Sequence, residues 1–286
     1  MATALPIVQE KATPVFADIH YETGNIDPRS IEEHITSRTK AVMVVHWGGM
    51  PANLEEIHKI ADRHGLAVIE DAAHAPGATY HGAPIGSFSP FTCFSFQAIK
   101  HITTGDGGAL CVKDEKMAAE AKTRRWFGID RANSKPSTLG EREYDISHVG
   151  YKYHLNDYGA ALGLANLLTF KERLARRRKL AAFYRGALAG VQGITLFQEH
   201  ADRESAYWLF GFHVENRETF IRMMKDAGIA TSVVHRGIDH NSIFGGTREE
   251  LVNQRRFDAT QINIPIHDEI GEAEAAHIVE TMKKGW

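Results

Sequence analysis

The chain has 286 residues, of which 43% are hydrophobic and 24% charged, which suits one large domain or two unequal ones. Its formal charge of -3 provides no basic excess, so charge does not support a nucleic-acid partner. No segment has the apolar length of a membrane span, and the amino terminus lacks the features of a signal peptide. We therefore expect a cytoplasmic protein that binds neither nucleic acid nor membrane. Cys93 and Cys111 indicate buried free thiols rather than a disulfide or a metal site.

Apolar runs alternate with helical patterns in the first part of the chain. Residues 41–46 predict a buried strand, 53–65 an amphipathic helix that stops at a glycine, and 66–73 a second strand. A strand, a helix and a strand at this spacing predict a parallel sheet with a right-handed crossover. In such sheets ligands collect at the carboxyl ends of the strands, where Glu70 and Asp71 are expected.

The remaining patterns divide the chain into two predicted parts. A large domain, residues 1–170, has a mostly parallel sheet, and a smaller α+β domain follows at 171–286. The basic run at 176–179 lies in a helical pattern and is interpreted as a solvated face. The further elements are predicted strands at 91–96, 108–114, 206–214 and near 229–234, helices at 115–128, 156–186, 217–228 and from 272, and a long loop at 130–147.

Lys100 follows the strand at 91–96 and is a candidate for chemistry. Asp71 precedes it by 29 residues, so neighbouring strands of one sheet can present both groups to one crevice. Ser95 can offer a hydroxyl to an anion, and the glycines of 103–108 permit close backbone approach. A lysine facing an aspartate across a planar ring is the arrangement of pyridoxal phosphate enzymes. An ordinary surface lysine is the alternative.

Seven segments, in order, resemble the DegT/DnrJ/EryC1/StrS family of nucleotide-sugar aminotransferases. The resemblance implies a type I aminotransferase fold, pyridoxal 5'-phosphate as cofactor and a homodimer with composite active sites. It also implies transfer of an amino group, usually from glutamate, to a keto sugar carried on a nucleotide. The segments are PVFADI, ETGNIDPRSIEEHI, TKAVMVVHWGGMPANLEEI, HGLAVIEDAAHAPGA, FSFQAIKHITTGDGGAL, GYKYHLNDYGAALGLANL and INIPIHDEI.

The resemblance assigns roles to four of these residues. Lys100 matches the lysine that bonds covalently to the cofactor, and Asp71 matches the partner of the pyridine nitrogen. His74 stands where the family contacts the ring near its phenolic oxygen, and Ser95 matches a phosphate ligand. Some relatives are sugar dehydratases with histidine in place of the lysine, so Lys100 favours transamination.

Three further candidates depend on the same resemblance. Lys152 lies where an asparagine commonly reaches the phosphate of the neighbouring subunit, and a lysine can serve a phosphate as a point charge. A solvated loop lysine is the alternative. His235 and His240 lie in the segment 233–246, which resembles the family's substrate-side loop. They are candidates for sugar contacts, and a structural role is equally open.

The resemblance begins part-way into the family's large domain, at Met1. In the family, the helix start that binds the cofactor phosphate and the aromatic residue that stacks on the ring lie before this point. We therefore expect the 286-residue chain to bind the cofactor weakly and to associate through uncovered apolar surface. A catalytically silent remnant that pairs with a full-length relative is the alternative to an active aminotransferase.

Overall fold

The computed structural model describes all 286 residues as a mixed α/β structure. Its strands are β1 (Ala41–Val45), β2 (Ala67–Asp71), β3 (Thr79–Tyr80), β4 (Ala83–Pro84), β5 (Phe91–Ser95), β6 (Gly108–Val112), β7 (Lys135–Pro136), β8 (Arg142–Glu143), β9 (Ile194–Leu196), β10 (Arg203–Glu204), β11 (Phe210–Val214) and β12 (Gln261–Ile264). Its α-helices are α1 (Leu5–Gln9), α2 (Pro28–His34), α3 (Leu54–His64), α4 (Glu115–Arg124), α5 (Asp157–Leu188), α6 (Arg217–Asp226), α7 (Val252–Thr260) and α8 (Glu272–Lys283). None of these helices combines the length and apolar character needed to cross a bilayer.

The largest sheet has the strand order β1-β2-β5-β6. Its first three strands are parallel, as the strand-helix-strand pattern predicted, and β6 is antiparallel to β5. The crossover helix α3 is capped at its start by Asn53, whose side chain accepts the Glu56 N–H, and at its end by Gly65 in the left-handed region with φ 63°. The register sets Asp71 beside Val45 on one side and Cys93 on the other, at the carboxyl edge of the sheet.

The later part of the chain has its own antiparallel sheet, β12-β11-β9, which packs with α5, α6 and α8. Their shared core contains 16 buried residues between positions 181 and 282. Two smaller cores of 8 residues each surround the parallel sheet. The division at residue 170 stays a prediction, and α5 runs through that point as one uninterrupted helix from 157 to 188.

Several sequence predictions differ from the structure. The strand expected at 206–214 begins only at Phe210, because the segment before it bonds to a turn at Gly48 and Gly49 instead of to a strand. The strand expected near 229–234 is reduced to a single bridge between Ser232 and Asn263. Helix α4 stops at 124, four residues short of the predicted glycine. Both cysteines are free, as expected, but exposed rather than buried.

The basic run on α5 is not simply a solvated face. Arg177 bonds the Asp268 carboxylate through Nε at 3.0 Å and the Ile266 carbonyl through a terminal nitrogen at 3.0 Å. Arg178 donates to the Ser205 carbonyl at 3.0 Å and to the Gly77 carbonyl at 2.9 Å. These two side chains therefore connect α5 to other parts of the chain. The charge pattern of the sequence alone cannot distinguish such bonded arginines from solvated ones.

A buried carboxylate and imidazole join the ends of β1 and β2 on the opposite face from Asp71. Glu70 and His46 are both fully buried, with His46 Nε2 at 2.7 Å from a Glu70 carboxylate oxygen. His46 Nδ1 accepts the Ala52 N–H at 3.1 Å, so the ring carries its proton on Nε2 and donates it to Glu70. Burial raises the pKa of Glu70, but hydrogen bonds from His46 and Ser89 outweigh this and leave it below its ordinary value.

We predict that Glu70→Ala lowers the free energy of unfolding by ~3 kcal/mol or more, because the buried donors on His46 and Ser89 lose their acceptor. Urea denaturation of the purified variant measures this change. Glu56→Ala, whose side chain on α3 is 46% exposed and makes no hydrogen bond, is the control and is expected to change stability by less than ~0.5 kcal/mol. Equal denaturation midpoints for the two variants would show that the buried Glu70–His46 pair does not stabilise the fold.

Candidate active site

Asp71 lies at the carboxyl edge of the parallel sheet, in the site that we call the crevice, which also contains His74, Lys100, Trp208 and His235. One carboxylate oxygen accepts the Thr3 hydroxyl at 2.7 Å, and the other accepts the Ala73 N–H at 3.1 Å. Because side chains alternate along a strand and Asp71 pairs with Cys93, Ser95 projects from the same face two residues further along β5. The sheet therefore brings the predicted acid and the predicted hydroxyl to one side.

Lys100 lies in the bend after β5, and its amine reaches the same crevice. The Nζ atom is 3.8 Å from the centroid of the Trp208 ring. Burial lowers the pKa of Lys100 to about 8, and the charge of Asp71 opposes part of this shift. At pH ~7 about one amine in ten is then neutral, compared with about one in three thousand for an ordinary lysine. The structure thus places a partly deprotonated amine close enough to the Asp71 carboxylate for its charge to act on the amine. A nucleophile and base requires such an amine.

His74 forms one wall of the crevice. Its ring stacks on Trp208 with centroids 3.8 Å apart and planes 13° apart, and the His235 ring lies 5.3 Å away. Burial lowers the pKa of His74 to about 2, and the charge of Lys100 adds to this effect. The imidazole is therefore neutral near neutral pH. Its Nδ1 atom is buried and has no hydrogen-bond partner within the chain.

Two predicted site residues lie apart from this cluster. Lys152 is exposed and forms only an isolated backbone bridge with Trp126. His240 is exposed at the end of the short helix Ile238–His240, and its side chain makes no hydrogen bond or aromatic contact with the cluster. The structure therefore brings together four of the predicted residues, namely Asp71, His74, Lys100 and His235, and it places Ser95 on the same face of the sheet as Asp71.

Sequence reasoning missed three contacts of this site. Trp208 touches both Lys100 and His74, Thr3 bonds Asp71, and His101 bonds the Ala206 carbonyl at 2.8 Å. Trp208 lies in an apolar run that suggests only a core strand. One property of the residue could have indicated a specific contact. A buried tryptophan usually donates its N–H to an acceptor, so Trp208 can be expected to do more than fill a hydrophobic core.

Comparison with known proteins identifies the class. The model of the DegT/DnrJ/EryC1/StrS aminotransferase family matches residues 1–283, and the chain belongs to this family. The chain is 34% identical to the spore coat polysaccharide biosynthesis protein SpsC of Bacillus subtilis, over 99% of its own length and 76% of SpsC.

Solved structures show the same fold. The sugar aminotransferase CalS13 of Micromonospora echinospora superposes with a TM-score of 0.93 at 37% identity, over 99% of this chain and 77% of CalS13. The sugar aminotransferase Spr1654 of Streptococcus pneumoniae, in its pyridoxal phosphate (PLP) form, superposes with a TM-score of 0.90 at 27% identity, over 99% of this chain and 77% of Spr1654. The predicted fold class and family are thereby confirmed. Aminotransferases of this family depend on pyridoxal phosphate.

The residues in the crevice fit that cofactor. The unpartnered Nδ1 of His74 is a buried polar atom that needs a ligand oxygen or a donor. The Asp71 carboxylate already accepts two hydrogen bonds and retains lone pairs for a ring N–H. The Lys100 amine and the His74 ring both contact the indole of Trp208, and the charge of Lys100 contributes to the lowered pKa of His74, so the two groups lie in one site.

We predict that amine reagents modify Lys100 in the cofactor-free protein with a titration midpoint near pH 8, because burial disfavours its charged form. Competitive acetylation followed by mass spectrometry measures this midpoint for single lysines. Lys59 is the internal control, since its hydrogen bond with Glu55 raises its pKa above the ordinary value. A Lys100 midpoint as high as that of Lys59 would refute the lowered pKa of Lys100.

Proposed function

We propose that the protein is a pyridoxal phosphate-dependent aminotransferase that acts on nucleotide-linked keto sugars in the cytoplasm. In the overall reaction, glutamate becomes 2-oxoglutarate and the keto group of the sugar becomes an amine. The observation that carries this proposal is the half-buried Lys100 amine, which contacts the indole on which His74 stacks and lies near Asp71. Membership of the aminotransferase family supports the reaction type.

Each residue has a defined part in the proposed reaction. Pyridoxal phosphate, when bound, supplies the electron sink that stabilises a carbanion at the substrate carbon. Lys100 holds the cofactor and accepts and returns the proton at that carbon through its Nζ atom, for which a pKa of about 8 is suitable. Asp71 would keep the ring nitrogen protonated, and His74, whose Nδ1 has no partner within the chain, would contact the ring near its phenolic oxygen. Ser95 contributes a hydroxyl to the phosphate.

The sugar is proposed to enter beside His235. This ring is exposed on one side and lies 5.3 Å from His74 and 5.8 Å from Trp208, so it borders the crevice. His240 is proposed to contact a more distant part of the nucleotide sugar, because it is exposed on the same segment. The name of the relative SpsC supports a product for cell-surface polysaccharide.

A second copy of the chain is proposed to complete each site. At the start of α5 only Gly159 and Gly163 are buried, and both pack against Thr104. The apolar side chains there point outward: Tyr158 is 91% exposed and Leu168 86%. Apolar surface of this kind marks an interface. Lys152 precedes this helix, so a homodimer built on α5 would offer Lys152 to the neighbouring phosphate.

We predict that Lys100→Ala abolishes transamination while the fold stays intact, because the variant lacks both the cofactor's anchor and the group that moves the proton. The assay supplies pyridoxal phosphate, glutamate and a panel of nucleotide-linked keto sugars, and it follows 2-oxoglutarate. The visible absorbance of the lysine-bound cofactor should disappear in the same variant. Lys59→Ala, on the exposed face of α3, is the control and should keep full activity.

Turnover of Lys100→Ala at the wild-type rate would overturn the proposed function. If the wild type shows neither the absorbance band nor turnover, the chain is catalytically silent under these conditions. Circular dichroism and the urea midpoint of both variants separate a loss of chemistry from a loss of folding.

We predict that mixing inactive Lys100→Ala with impaired Lys152→Ala protein restores activity to about a quarter of the wild type, since random pairing makes half the dimers mixed with one intact site each. The two variants are mixed after dissociation and assayed after reassociation. The control mixes Lys152→Ala with the Lys100→Ala/Lys152→Ala double variant, which cannot form an intact site. Activity no higher than in this control would show that Lys152 does not act across the interface.

A further inference from the structure

One segment of the chain anchors the Lys100 loop on both sides of the lysine. The Trp208 Nε1–H donates to the carbonyl of Ile99 at 3.0 Å. The His101 ring bonds the Ala206 carbonyl at 2.8 Å, and because a carbonyl only accepts, His101 carries its proton on Nε2. Residues 206–208 therefore hold the neighbours of Lys100 before and after it.

The same indole also touches the amine itself. The Lys100 Nζ atom is 3.8 Å from the ring centroid, within the range of a cation–π contact. Trp208 is only 7% exposed, whereas Ile99 is 66% exposed and cannot fix the loop by apolar packing. The indole is thus a buried surface against which the amine rests.

The position of Trp208 is fixed in turn by a glycine turn at the end of β1. The Ala206 N–H donates to the Gly49 carbonyl at 3.0 Å, and the Leu209 N–H donates to the Gly48 carbonyl at 3.1 Å. Gly49 has φ 101°, and a Cβ at this position would lie 2.9 Å from the His74 carbonyl oxygen and 2.9 Å from the Tyr207 nitrogen. The turn and the segment it binds therefore lie so close together that only glycine fits at position 49.

We propose that Trp208 is a positioning residue, which holds the free amine of Lys100 in the crevice by its indole face and the loop of Lys100 by its N–H bond to Ile99. This assignment rests on the proposed function, in which Lys100 is the reacting amine. Trp208 would contact the amine whenever Lys100 is not covalently bonded to the cofactor. An amine on a flexible stem would otherwise sample many rotamers, and its proximity to the reacting carbon would be lost.

The first test uses tryptophan fluorescence of the cofactor-free protein between about pH 6 and 10. An ammonium group over the indole alters its emission, so the wild type should show an inflection near pH 8. Trp208→Phe and Lys100→Met should each lose this inflection. Trp286→Phe is the matched control, because Trp286 also donates its N–H to a backbone carbonyl, that of Glu215 at 2.7 Å, and it should keep the inflection.

Other titratable groups surround the lysine and must be separated from it. They are Asp71 on β2, His74 after β2, His101 beside it, His235 on the substrate-side loop and the Met1 amine. All of them remain in Lys100→Met. An inflection that persists in Lys100→Met or in Trp208→Phe would therefore overturn the proposal.

The second test measures how freely the amine moves. In Trp208→Leu the neutral amine of Lys100 should react with acetic anhydride about fivefold faster than in the wild type, since the indole no longer covers and restrains it. Trp286→Phe should leave this rate unchanged, and the urea midpoints confirm that the variants are folded. Equal Lys100 rates in Trp208→Leu and the wild type would refute the positioning role. Both tests use protein without cofactor, so their outcome is independent of transamination.

Discussion

The geometry of the crevice depends on the contact between the glycine turn after β1 and the segment at 206–209. Two backbone hydrogen bonds join parts of the chain that are more than 150 residues apart in sequence, from Gly48 and Gly49 to Leu209 and Ala206. This contact places Trp208, and Trp208 then contacts the loop of Lys100 and the ring of His74. Because backbone groups make it, the contact tolerates changes of side chain except at the glycines themselves.

Helix α5 provides a second connection between the same regions. Arg178 reaches the carbonyls of Gly77 and Ser205, the first close to His74 and the second next to Ala206. Arg177 bonds Asp268 and the carbonyl of Ile266 beyond β12. Charged donors to several carbonyls in partly buried positions stabilise more than an exposed pair does. The helix therefore holds the segments at Gly77 and Ser205 together, while its first turns remain apolar and exposed.

The elements near the predicted acid and lysine could be inferred from the sequence because their causes are local. Apolar runs, the Asn53 cap and the Gly65 stop lie within one stretch, and they predict the parallel order of β1 and β2. Strand alternation also separates Glu70 from Asp71, although the two are adjacent, and Glu70 accordingly bonds His46 on the far face. The roles assigned to His74 and Ser95 came from family resemblance and not from spacing.

The other parts of the site could not be inferred from the sequence, because they depend on contacts between residues that are far apart in the chain. The segment before Phe210 has the composition of a strand, but its hydrogen bonds go to a turn far earlier in the chain, and Tyr207 adopts a positive φ of 48°. No local pattern shows that Trp208 contacts Lys100, because the two residues are 108 positions apart in the sequence. The same holds for Arg177 and Arg178, whose acceptors are backbone carbonyls and a distant aspartate.

The electrostatics of the crevice follow from placing several basic groups in a space with one carboxylate. Burial and the charge of Lys100 keep His74 neutral, with a pKa of about 2, whereas Lys100 itself titrates at about 8. If both groups were charged, two cations would share a buried site with Asp71 alone, which is unfavourable. The environment therefore separates their functions. His74 remains a neutral hydrogen-bonding ring with a free Nδ1, and Lys100 can gain or lose a proton near physiological pH, as a group that transfers protons requires.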